Sequence, residues 1–184
     1  MIEQIKDLLN KKENKPVVIA IEGRAGAGKS TLADRLASDF GGEVIRMDHF
    51  FLPPDLRGKE RINVHYERFL TEVVNPIKVR APFSYRIFDC ALMEYHGEVK
   101  IEMKPLLIVE GAYSLWEDWD TIFDLRIFCD IGSDEQRERI IKRNGEEGYG
   151  AFRDKWIPLE EDYFARYQVK ERCDIIYILQ YDYN

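Results

Sequence analysis

The segment Gly23-Arg-Ala-Gly-Ala-Gly28-Lys29-Ser30 constrains the fold of this chain more than any other stretch. It fits the pattern G-x-x-x-x-G-K-[ST], and its flanks fit too. Before it runs the β-branched stretch Val17-Val-Ile-Ala-Ile21, which reads as a buried strand. After it, Thr31 to Phe40 carries Leu32, Ala33, Leu36 and Ala37 at helical spacing, and Gly41-Gly42 supplies a left-handed stop. A strand, a glycine-rich turn and a helix in that order let backbone N–H groups converge on phosphate oxygens at a helix N-terminus. Gly23, Ala25, Gly26, Ala27, Gly28, Lys29, Ser30 and Thr31 are therefore the expected phosphate contacts, with Lys29 at the terminal phosphates and the Ser30 hydroxyl placed for Mg²⁺. The alternative is a glycine-rich turn with a coincidental lysine; the flanking pattern argues against it.

Further strands are expected over 43–47, 106–109, 125–129 and 175–179, and helices over 66–74, 134–143 and 152–167, with Pro76 ending the first of these. Met1 to Lys15 reads as a short amphipathic helix. Strands alternating with helices imply a mainly parallel sheet covered on both faces, an α/β protein with three α/β/α layers. The alternation breaks at about 80–104, where Phe83, Tyr85, Phe88 and Tyr95, with a turn at His96-Gly97, suggest an added hairpin. Residues 1–184 are thus expected to form one domain, with a lid at about 134–152.

Composition excludes several classes. With 34 acidic and 27 basic residues the formal charge is −7, which disfavours a nucleic acid polymer as partner. The apolar runs are too short to span a bilayer and the opening residues do not form an export signal, so a cytoplasmic protein without membrane contact is expected. Cys90, Cys129 and Cys173, like His49, His65 and His96, lack metal-ligand spacing, and the cysteines read as buried free thiols in a reducing compartment.

Phosphoryl transfer needs an acid near the metal, a group that orients or deprotonates the acceptor, and cations over the transferred group. Glu110 closes the apolar run Leu106-Leu-Ile-Val109 and would lie at the carboxyl end of a strand beside the phosphate loop, where a carboxylate holds Mg²⁺. Asp48 ends another strand, in Arg46-Met-Asp48-His-Phe-Phe51, and could face both the acceptor hydroxyl and the metal. Capping alone could account for Glu110, and turn formation for Asp48. Ser133-Asp-Glu-Gln136 reads as a capping box, so Arg137, Arg139 and Arg143 share one helix. Arg139 and Arg143 could close over the transferred phosphoryl group, or Arg139 could simply pair with Glu135 on an exposed face. Gly145, Gly148 and Gly150 then suggest a mobile segment.

The order Ile-Glu-Gly-Arg-Ala-Gly-Ala-Gly-Lys-Ser-Thr, Met-Asp48-His-Phe-Phe and Ile-Val-Glu110-Gly-Ala-Tyr resembles the uridine kinase and phosphoribulokinase group of P-loop kinases from about Val17 to Leu179. That resemblance implies the P-loop NTPase fold, ATP or GTP as donor, Mg²⁺ held by Ser30, Asp48 and Glu110, Asp48 as base toward a ribose 5′-hydroxyl, and lid arginines at Arg139 and Arg143. The family's Phe-Asp-His-Pro segment is replaced by Asn63-Val-His65-Tyr-Glu67, so His65 takes the ribose-holding place in the resemblance. Its base-reading segment is replaced by Phe83-Ser-Tyr85-Arg-Ile-Phe88-Asp89; Tyr85, Phe88 and Asp89 are the corresponding acceptor-side candidates, although an aromatic cluster there can equally be core. The expected partners are a nucleoside triphosphate and a small-molecule acceptor, with homo-oligomerisation left open. A nucleoside or ribosyl compound is favoured over pantothenate or a sugar phosphate. A regulatory nucleotide-binding or hydrolysing module is the other class; a guanine-reading Asn-Lys-x-Asp is missing, since Asn14-Lys-Pro-Val17 lacks the Asp.

Overall fold

The computed structural model describes residues 1–12, 15–53, 56, 63–90 and 92–179; Asn14 lies outside them. At its centre β1 (Val17–Gly23) is buried along its whole length. Side chains alternate across a strand, so Val17, Ile19 and Ile21 join one apolar layer with Leu32 and Leu36, while Val18 and Ala20 join another with Phe50, Trp116 and Phe128. A strand covered on both faces has no polar side to show, which is why Val17 to Ile21 form an apolar run, broken only by Glu22 before Gly23.

Around it, β2 (Glu43–Arg46), β5 (Leu106–Glu110), β6 (Leu125–Asp130) and β7 (Ile175–Ile178) complete a five-stranded sheet in the order β2-β5-β1-β6-β7, every pairing parallel. The register pairs Ile21 with Glu110 and Gly23 with Cys129, so the carboxyl ends of β1, β5 and β6 come level. Helix α1 (Ile2–Lys11) contributes Ile5 to one face of the sheet and α2 (Lys29–Phe40) covers the same face. The layered α/β/α architecture with a mainly parallel sheet expected from the alternation is the one observed. Among the described residues no helix is long and apolar enough to cross a membrane.

The other face holds α3 (Tyr66–Phe69), a π turn (Leu70–Val74) and α4 (Asn75–Val79), one continuous helical segment. Pro76 does not end it. The widened turn carries the chain past the missing N–H, Pro76 falls in the first turn of α4, and the stop is Arg80 in the left-handed region at φ 59°. The added hairpin is present as β3 (Phe83–Asp89) and β4 (Glu94–Ile101), antiparallel. Its reversal lies between Asp89 and Glu94, with the Leu92 N–H donated to Asp89 Oδ1 at 3.1 Å. His96 and Gly97, expected to form the turn, sit inside β4 opposite Ile87, where the register slips and Gly97 takes φ 80°. A glycine there signals a β-bulge rather than a reversal. Arg68 ties hairpin to helix: it pairs with Glu72 at 2.9 Å, donates to the Arg86 carbonyl at 2.6 Å and lies over the Phe50 and Tyr95 rings.

Helix α5 (Ser133–Ala151) also differs from expectation. Gly132 is its N-cap, Ser133 makes no capping bond, and the Gln136 side chain goes elsewhere, so the capping box does not form. Of the three glycines only Gly145 leaves helical geometry, at φ 75°; helical hydrogen bonding carries Gly148 and Gly150 to the helix end. A second π turn (Phe152–Trp156) leads into α6 (Ile157–Arg166).

Gly23 is the most constrained glycine in the fold. At φ 132° it lies against β6, where a Cβ would fall 2.1 Å from the Cys129 carbonyl oxygen. Both atoms belong to backbone at the sheet centre, so neither can move aside. Gly23→Ala is expected to destabilise the protein by on the order of 3 kcal/mol or more in urea unfolding, whereas Gly41→Ala, with open space around it, should cost far less despite its positive φ. Equal midpoints for the two variants would contradict this packing.

Candidate active site

The level carboxyl ends of β1 and β5 open into a cavity of about 1080 Å³. Its floor is the turn from Gly23 to Gly28, and α2 starts at Lys29 behind a left-handed Gly28 at φ 86°. The turn's carbonyls are held in a consistent way. Lys29 Nζ donates to Gly23 O at 2.6 Å and to Arg24 O at 3.1 Å, Gln136 Nε2 to Ala25 O at 3.0 Å, and Arg139 Nη1 to Gly26 O at 3.1 Å. Four consecutive carbonyls thus have donors supplied by α2 and α5, which fixes the peptide planes of the turn. Lys29 is engaged by the loop itself, while it also lines the cavity.

Ser30, Asp48 and Glu110 meet at one side of this cavity. Asp48 lies in a 3₁₀ turn (Met47–Phe50) directly after β2, one step beyond the strand end expected for it. Ser30 Oγ donates to Glu110 Oε2 at 3.3 Å, and Arg46 holds Glu110 Oε1 at 2.8 Å while also pairing with Asp34 at 2.6 Å. Burial raises the Glu110 carboxyl above its ordinary value and the nearby Asp48 charge adds to this, against Arg46 and Lys29. Two carboxylates and a hydroxyl form a hard oxygen donor set of the kind Mg²⁺ takes when phosphates and waters complete its shell. Among the described residues no cluster of three or more His, Cys, Asp or Glu side chains forms a closed metal cage.

Arg139 and Arg143 both line the cavity. Arg139 also pairs with Glu135, so the ion pair weighed against a lid role exists together with the contact to the loop. Arg143 donates to Asn144 Oδ1 and lies 5.5 Å from the centre of the Phe152 ring. Of the acceptor-side candidates, Tyr85 and Phe88 are core residues at 2% exposure, outside the cavity lining. Tyr85 shares a 3.3 Å hydrogen bond with His49 Nδ1, and burial pushes its hydroxyl up to about 12. Asp89 belongs to the hairpin reversal. His65 precedes α3, its backbone N–H bonded to the Phe50 carbonyl, and it too lies outside the lining. The lining includes instead Phe51, Asn63, Cys90, Met93, Tyr113, Trp156 and Leu159, and Cys90 is exposed, not buried as expected, because it follows the edge of the added hairpin.

Two acids beneath the loop escaped the sequence reading. Glu22 is fully buried; its carboxylate accepts from the Gly23 and Leu115 N–H groups and from the Ser114 and Tyr163 hydroxyls at 3.2 to 3.4 Å. Burial raises its carboxyl to about 8, against the opposing pull of Lys29 and the two backbone donors. Glu160, in the first turn of α6, accepts from the Ala25 N–H at 3.0 Å. A charge interrupting a buried strand just before a glycine was a usable signal for Glu22. Glu160 sits among acidic surface residues and has no local signature.

No family model matches the chain. The uridine kinase of Ureaplasma parvum serovar 3 is 27% identical over 156 residues, which is 74% of this chain and 73% of the relative. Among solved structures, a possible uridine kinase from Bacillus stearothermophilus superposes with a TM-score of 0.70 at 16% identity, covering 95% of this chain and 97% of the other. A candidate fructose transport system kinase from Silicibacter sp. TM1040 gives 0.69 at 21% identity over the same shares. The chain thus shares the overall fold of these two solved structures.

The Glu22 carboxyl makes stability depend on pH in a stated direction. Its value rises from an ordinary 4.5 to about 8, so the folded chain keeps a proton that the unfolded chain releases. Stability from this group is present at low pH, falls as pH rises from about 4.5 to about 8, and levels off above that. Glu22→Gln, neutral throughout, is expected to lack this slope, so its Tm should gain on the wild type between those limits. Parallel Tm profiles would contradict a protonated Glu22.

Proposed function

We propose that this chain is a phosphotransferase of the uridine kinase type that moves the terminal phosphoryl group of ATP or GTP onto a hydroxyl of a small molecule, the 5′-hydroxyl of a nucleoside or related ribosyl compound being favoured. The observation that carries this reading is the meeting of Lys29, Ser30, Asp48 and Glu110 at one cavity at the carboxyl end of a parallel sheet. Open α/β sheets place their ligands there.

The loop amides, oriented by the held carbonyls, receive the donor's phosphates, and Lys29 moves from the Gly23 and Arg24 carbonyls to the terminal ones. Ser30 and Glu110, the latter steadied by Arg46, would hold Mg²⁺, which when bound neutralises charge on the phosphate oxygens. Asp48 orients the acceptor hydroxyl and takes its proton as the bond to phosphorus forms. Arg139 and Arg143 contribute positive charge from α5 over the transferred group. The apolar walls from Phe51, Tyr113 and Trp156 exclude water, which keeps the phosphoryl group for the acceptor.

A screen of nucleosides, ribosyl cofactors, pantothenate and sugar phosphates, read by product mass, is expected to find one compound class that gains a single phosphoryl group. With that acceptor, Asp48→Asn should slow single-turnover transfer by about 10²- to 10⁴-fold while nucleotide binding largely survives. Raising Mg²⁺ should not restore the rate. Wild-type transfer by a folded Asp48→Asn protein would remove Asp48 from the chemistry.

A further inference from the structure

The turn's carbonyls are held from α2 and α5, but its second and third residues are held from another direction. Arg24 pairs with Glu161 at 2.9 Å and with Asp130 at 3.6 Å, and donates to the Ile131 carbonyl at 3.2 Å. The neighbouring Ala25 donates its N–H to Glu160 Oε2 at 3.0 Å. Two consecutive acids in the first turns of α6 therefore grip two consecutive residues of the loop. Glu161 grips a side chain and lies outside the cavity, whereas Glu160 lines the cavity and occupies a backbone N–H of the phosphate-binding turn. A carboxylate on such an amide makes the contact that a phosphate oxygen would make. The charged groups facing Glu160 are Lys29, which favours its anionic form, and Glu161, Asp48 and Glu22, which oppose it; burial raises its carboxyl above the ordinary value. Glu160, the partner of the Ala25 N–H, thus lies within electrostatic reach of Lys29 and Asp48, the two groups that the kinase reading assigns to the terminal phosphate and the acceptor.

We propose that Glu160 is a specificity-determining residue that stands in for the donor's terminal phosphate on the Ala25 N–H, so that a nucleoside triphosphate displaces it and a diphosphate leaves it in place. The proposal rests on the kinase reading above. One N–H cannot serve two anions, and the displaced carboxylate still faces the incoming phosphate. Glu160 thereby lowers triphosphate affinity more than diphosphate affinity, and it returns to Ala25 once the phosphoryl group has left. Trp156 and Leu159 precede it in sequence and line the same cavity.

The test is the pair of dissociation constants for MgATP and MgADP, measured by titration calorimetry on the wild type, Glu160→Gln and Glu160→Ala, with Tm recorded for each. Glu160→Gln retains an oxygen for the Ala25 N–H but not the charge. It is expected to bind MgATP about tenfold more tightly than the wild type, the worth of one charge contact, with MgADP changed by less than about threefold. Glu160→Ala should shift the ATP-to-ADP affinity ratio in the same sense even if its Tm falls. An unchanged ratio in both variants would overturn the proposal and leave Glu160 a structural clasp, with the kinase reading intact. Failure of the wild type and both variants to bind either nucleotide would overturn the kinase reading and this proposal with it.

Discussion

The fixed backbone of the turn between β1 and α2 is the constraint on which the rest of the structure depends. A glycine-rich loop left to itself samples many conformations, and ordering it costs roughly 1–2 kcal/mol per residue. Here that cost is offset by donors to the Gly23, Arg24, Ala25 and Gly26 carbonyls and by the ion pairs that anchor Arg24. The carbonyl donors come from α2 and α5 and the acids that hold Arg24 from β6 and α6, so the fold is needed to shape the loop. Gly23 itself is pressed against β6 closely enough to exclude a side chain. The loop is thus as much a product of β6, α5 and α6 as of its own eight residues.

Acid accumulates around this loop. Glu22 lies beneath it, Glu160 beside it, and Asp48 and Glu110 line the same cavity, with Lys29 acting on Glu22, Glu110 and Glu160. Burial and mutual repulsion raise the carboxyls of Glu22, Glu110 and Glu160, while Arg46 steadies Glu110 and the Ala25 N–H steadies Glu160.

What the sequence carried plainly were features written in adjacent residues. The apolar run before Gly23, the helical spacing after Ser30 and the carboxylates at the ends of short strands each depend on local pattern, and the structure brings Lys29, Ser30, Asp48 and Glu110 to one cavity. What it concealed depends on partners far along the chain. Gln136 has the sequence position of a capping residue, but its amide is drawn to Ala25, more than a hundred residues earlier. Tyr85 and Phe88 look like ring-stacking residues by composition, yet the bulge opposite Ile87 and the packing on Phe50 and Tyr95 turn them into core. Pro76 predicts a helix end only if the preceding turns are α-helical, and here they widen to a π turn. The resemblance to uridine kinases, drawn from motif order, is matched by the fold and by the relatives, whereas the cavity lining of Phe51, Tyr113 and Trp156 could not be assembled from sequence.

The central claim is that this cavity passes a phosphoryl group to an acceptor and keeps it from water. Release of ADP by the wild-type protein with MgATP, measured with and without the hydroxyl acceptors under single-turnover conditions, tests it most directly. The expected result is release that is slow alone and at least about tenfold faster with one acceptor, a difference of roughly 1.4 kcal/mol or more in barrier. Equal release in the presence and absence of every acceptor would contradict the account and make the protein a nucleotide hydrolase.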